Sequence, residues 1–126
     1  MYPNKGLAQY RQVASMGHSP IKQIAMLYEG AIRFLHLAAL DIETNDIAAK
    51  AEHSNRALDI LNYLRTILDF EAGGEVATVL NNLYREITGI VLKASSQLNA
   101  RLMRHAAQLL MPVAEAWTIN AQTQQC

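Results

Sequence analysis

The chain has 126 residues, of which 51% are hydrophobic and 17% charged. At this size folding buries roughly two-thirds of the unfolded surface, so one domain can hold a core without disulfides or metal. Eleven basic residues balance eleven acidic ones and the only cysteine is Cys126; this excludes an internal disulfide, suits a reducing cytosol, and leaves no net field to draw nucleic acid or anionic lipid.

Residues 1–18 read as an N-terminal arm in which Tyr10 and Val13, three apart, mark one or two helical turns. The opening Met1-Tyr2-Pro3-Asn4-Lys5-Gly6 has no apolar stretch of the kind that makes a signal peptide. No apolar run approaches the ~20 residues of a membrane span, so membrane insertion is not expected.

Ser19-Pro20 is a strong helix start: the serine oxygen accepts from a free backbone N–H, and proline at the first helical position has none to waste. Ile24, Leu27/Tyr28, Ala31, Leu35, Ala38 and Ile42 then recur at steps of three and four, one face of an amphipathic helix that fades at Thr44-Asn45. Asp46 caps a second long helix with Ala57, Leu58, Leu61, Leu64 and Leu68 on its apolar face, and Gly73-Gly74 is the expected stop. Glu75 opens a third, with Val76, Leu80, Leu83, Ile87, Ile90, Ala94 and Leu98 as its stripe. Asn99 caps the last, carried by Leu102, Ala106, Leu109, Val113 and Ala116/Trp117. Pro112 lies inside it, removes a backbone bond and crowds the carbonyl of Gln108, which predicts a kink or break. No stretch alternates as a strand does. The predicted fold is all-α: an antiparallel up-down four-helix bundle over 19–121, a short N-terminal helix or arm over 1–18, and a frayed, disordered tail over 122–126.

The first long helix carries more apolar residues than its core stripe uses. Met26, Leu37 and Leu40 fall on the opposite side with Gly30 and Arg33 between them, again at steps of four and three. Beside them runs a polar row of Lys22, Glu29 and Arg33, so the row reads as a partner groove, with Gly30 as a shallow notch. Another protein's amphipathic helix fits such a groove through side chains at i, i+3, i+4 and i+7, and methionine adapts to its shape. On the next helix Ile60, Tyr63, Ile67 and Phe70 widen the apolar arc, which is read either as core or as more of the same surface.

No catalytic or cofactor site is expected. A di-metal bundle needs Glu-x-x-His pairs, and no Glu here is followed three residues later by His. Glu29, His36 and Glu43 share a face, but successive members are roughly 10 Å apart, too far for one ion. No serine sits in a G-x-S-x-G turn, and Gly73-Gly74 lacks the Lys and Ser/Thr of a phosphate loop. Arg101, Arg104 and His105 read as a solvated basic face.

Four pieces of the sequence match one pattern in order and spacing. Ser19-Pro20-Ile21-Lys22-Gln23-Ile24-Ala25-Met26-Leu27-Tyr28-Glu29-Gly30-Ala31 resembles the opening of the first long helix of the FliS family of flagellin export chaperones. Gly73-Gly74-Glu75-Val76-Ala77 with Leu80 and Leu83-Tyr84 resembles its G-G-E-I-A…L…L-Y turn, Tyr10 and Val13 its Y-x-x-V arm, and Ala116-Trp117 its closing A-W. Three features depart from that pattern: a shorter arm before Ser19, Lys22-Gln23 in place of an acidic pair, and Pro112 in place of a helix former.

The resemblance implies a cytoplasmic chaperone without enzymatic activity. In the family the disordered C-terminal segment of flagellin becomes partly helical around the bundle, which blocks premature polymerisation, and the complex meets the flagellar type III export gate. It also implies an arm, with Tyr10, that competes for the groove; joined to the apolar surplus read above, this gives an expected flagellin-binding set of Tyr10, Met26, Gly30, Leu37, Leu40 and Tyr63, with no cofactor expected and a homodimer left open. Two other classes remain open on the residues alone: a different helical secretion or regulator-binding adaptor, and a small helical enzyme or metalloprotein.

Overall fold

The computed structural model of the chain describes residues 20–124, with side chains described as far as Ile119. Tyr10, Val13 and Ser19 therefore lie outside the described residues. Four helices follow one another: α1 (Pro20–Glu43), α2 (Ile47–Thr66), α3 (Phe70–Gln97) and α4 (Ala100–Gln124). Links this short leave sequential helices little choice but to pack antiparallel. Contacts between them run in opposite senses along the chain: Glu43 pairs with Arg104 and Tyr28 stacks on Trp117, while Lys50 bonds Ser95 and Arg65 bonds Asn81. α1 and α3 each pack against α2 and α4, so the helices sit at the corners of a square.

The helix ends follow from local chemistry. α1 begins at Pro20. The Asp46 carboxylate accepts from the Ala49 N–H at 3.1 Å, and the Asn99 side chain accepts from the Leu102 N–H at 3.0 Å, so both expected caps are in place. Leu98, in the left-handed conformation at φ 52°, ends α3. The second link differs from expectation. α2 stops at Thr66 rather than at Gly73-Gly74, because the Asp69 carboxylate caps a new turn by accepting from the N–H groups of Glu71 and Ala72. That turn, from Phe70, joins the body of α3 across Gly74, whose φ of 50° and ψ of −123° suit glycine alone. The glycine pair thus bends the entry to α3 instead of ending α2, and Leu68 lies in the link.

α4 passes through Pro112 unbroken and runs on to Gln124, past residue 122 where the sequence predicts a tail. Pro112 and Gln108 are both exposed; water can satisfy the freed carbonyl, while Leu110 and Ala114 anchor the helix in the core on either side.

The core is built from all four helices: Tyr28, Ala31, Leu35 and Ala38 of α1, Ala57, Ile60, Leu61 and Leu64 of α2, Tyr84, Ile87, Val91 and Ala94 of α3, and Met103, Ala106, Ala107 and Leu110 of α4. The α1 stripe is the one predicted. On α3 and α4 the buried face is turned slightly: Val76 and Leu98 are exposed where Ala77 and Tyr84 are buried, and Met103, Leu110 and Ala114 lie deeper than Leu102, Leu109 and Val113. Ile60 is core, whereas Ile67 and Phe70 are largely exposed.

Two polar features accompany the core, one within it and one on its flank. The hydroxyls of Tyr28 and Tyr84 hydrogen-bond each other inside it. On the flank the Asp41 carboxylate pairs with His53 Nδ1 at 2.6 Å, the His53 ring stacks on Phe34, and the Arg56 guanidinium lies over the Phe34 ring.

Candidate functional site

Between α1 and α4 the bundle leaves an open groove of about 770 Å³. Its floor is apolar, from Ile32, Leu37 and Leu40 of α1 and Met111, Ala114 and Ile119 of α4; Glu29, Arg33, His36, Glu115 and Thr118 form its lips. α1 and α4 bury stripes that include several alanines, among them Ala31, Ala38, Ala107 and Ala114, and leave a second, larger apolar set at the surface. Leu40, Met111 and Ile119 are 51%, 47% and 60% exposed. That is too much apolar surface in one place for a wall of solvated side chains, and it lies where an amphipathic helix fits.

The six residues singled out from the sequence separate in space. Leu37 and Leu40 line the groove, Leu37 packed partly against the core and Leu40 half-exposed. Gly30 is buried, so the open notch expected there is closed. Met26 and Tyr63 are partly buried, Tyr63 packed against the core; neither lines this groove. Tyr10 lies outside the described residues. The α4 wall was missed by sequence reasoning, which sought surplus apolar residues on the first two long helices only. Met111, Glu115 and Ile119 step by four along α4, off its core stripe, and that step was the available signal.

A separate polar basin of about 740 Å³ lies nearer the start of α4, lined by Glu43, Asn99, Arg101, Leu102, Arg104, His105 and Gln108. The Arg104 guanidinium donates two bonds to the Glu43 carboxylate, at 2.6 and 2.7 Å, and holds that carboxyl below its ordinary range. At the other end of the bundle a smaller cavity, about 330 Å³, is lined by Ile24, Tyr28, Leu64, Ile67, Leu68, Gly73, Val76, Leu80, Tyr84 and Trp117 among others. Three of the four sequence motifs meet here, in the stacking of Tyr28 with Trp117 and the Tyr28–Tyr84 bond. Their shared role in this chain is to join α1, α3 and α4. No described helix is long and apolar enough to cross a membrane.

The family model for the flagellar protein FliS matches residues 3–124. The chain is similar to the flagellar secretion chaperone FliS of Salmonella typhimurium, at 38% identity covering 93% of this chain and 90% of the relative. It is similar to FliS of Campylobacter jejuni at 32%, covering 93% and 91%, and to the flagellar secretion chaperone FliSB of Pseudomonas aeruginosa at 30%, covering 93% and 96%. A family match over nearly the whole length, on a helical bundle whose motifs meet where their packing requires, means that the chain belongs to the FliS family of flagellar secretion chaperones.

Proposed function

We propose that this chain is a flagellin export chaperone whose α1–α4 groove receives the C-terminal segment of flagellin in the cytoplasm. The segment folds into an amphipathic helix against the groove, its filament-forming face is covered, and the complex is handed to the flagellar type III export gate. One observation carries the reading: Leu40, Met111 and Ile119, each about half-exposed or more, converge on a single apolar groove.

Such a chaperone needs no bond-making chemistry. Covering an apolar face is worth about 25 cal/mol for each Å² removed from water. Ordering a disordered segment takes back about 2–5 kcal/mol. The difference gives a complex tight enough to store a subunit and loose enough to release it.

The test is to replace Leu37 and Leu40 together with serine and measure flagellin binding beside thermal stability, with Leu40→Ser alone as a control. The expected result is binding weakened more than ten-fold by the pair, with Leu40→Ser leaving the melting temperature nearly unchanged. Full binding by a folded double variant removes the groove from the client site.

A further inference from the structure

Resting on the reading that the groove holds a client helix, we propose that it holds that helix in one direction. The client's N-terminal end lies against Glu29 and Glu115, and its C-terminal end against Arg101 and His105. The argument is electrostatic and starts from the antiparallel register of the groove walls. Tyr28 meets Trp117 at one end, and Glu43 meets Arg104 at the other. That register places Glu29 beside Glu115 and Thr118, and sets the basin that holds Arg101 and His105 about one helical turn beyond Leu40 and Met111, at Glu43 and Gln108.

The two ends differ in charge. Glu29 and Glu115 are exposed carboxylates on facing lips, and among the described residues neither is in an ion pair. Arg33 lies one turn further in. At the opposite end Arg104 is neutralised by Glu43, which leaves exposed Arg101 as the uncompensated cation, with His105 one turn along. Between the levels of Arg101 and Thr118 lie roughly 25 Å of helix axis, room for about five turns of client. A helix carries about half a positive charge at its N-terminus and half a negative charge at its C-terminus. Laid parallel to α1, it sets its positive end on the carboxylates and its negative end on Arg101. Laid the other way, both ends meet like charge. The client chemistry that fits is an amphipathic helix of about five turns with basic residues in its first turn and acidic or neutral ones in its last.

The test uses the full chain with Cys126→Ser, isotope-labelled, and a peptide of flagellin's C-terminal helical segment carrying a nitroxide at one end. The expected result is that a label on the peptide's C-terminal end broadens the amide signals of Arg101 to His105, while one on its N-terminal end broadens those of Glu29 and of Glu115 to Ile119. The opposite pattern, or both ends broadened by each label, overturns the direction while leaving the groove occupied. Binding that broadens neither end overturns the underlying reading as well. As a second readout, the folded pair Arg101→Glu with Glu115→Lys weakens binding about five-fold at low salt, a difference that vanishes near ~1 M salt. An effect equal at both salt concentrations contradicts the electrostatic basis.

Discussion

The hydroxyls of Tyr28 and Tyr84 satisfy each other in a core where both side chains are at most 1% exposed. A buried hydroxyl that loses its partner costs about 1–3 kcal/mol, whereas removing both members of a pair can be nearly neutral. Tyr84→Phe is therefore expected to lower unfolding free energy by about 1–3 kcal/mol, and Tyr28→Phe with Tyr84→Phe by less than the sum of the single changes, in urea melts of all three variants. Burial also pushes the Tyr84 phenol above its ordinary range. Because the folded state holds this proton more tightly than the unfolded chain, the associated stability is complete below about pH 10 and is lost as pH rises past it. Ultraviolet titration should show Tyr84 ionising last, together with unfolding; early ionisation of every tyrosine would contradict its burial. Leu40 presents the opposite case. It is half-exposed, so its apolar surface contributes little to folding and is available to a partner.

The entry to α3 shows how an element is set by a few side chains. Asp69 caps the first turn and Gly74 turns the backbone into the body of the helix. Losing an N-cap costs about 1 kcal/mol, and a side chain forced into a glycine-only conformation about 1–3 kcal/mol. Nothing crowds a Cβ at Gly74, so the penalty there is one of backbone conformation. Asp69→Ala and Gly74→Ala are expected to destabilise by these amounts in thermal melts. Pro112→Ala restores a hydrogen bond in α4 and should stabilise by about 1–3 kcal/mol; a loss would mean that the surroundings of α4 are built around the proline. These elements also show what the sequence makes legible. The α1 stripe, the Asp46 and Asn99 caps and the order of four helices follow from periodicity and end chemistry. The end of α2 did not, because Asp69 is a cap only if the chain has already left the helix. The turned faces of α3 and α4 depend on which neighbour each helix meets, and periodicity alone leaves a stripe free to shift by one residue.

At the scale of the whole molecule, the four described helices share a buried core and leave a broad apolar groove between α1 and α4. Half of that groove was legible. Leu37 and Leu40 stand out on a helix whose core stripe is complete without them, while Met111 and Ile119 gain meaning only when α4 folds against α1. Gly30 looked open in sequence and is buried in three dimensions. The proposed function rests on what enters this groove. The most direct test is methyl NMR of the full chain, following Leu37, Leu40 and Met111 as the C-terminal segment of flagellin is added. The account predicts that these three methyl-bearing side chains shift together and saturate with the binding curve, while buried Leu61 and Val91 stay nearly fixed. Tight binding that leaves Leu37, Leu40 and Met111 unmoved would contradict it.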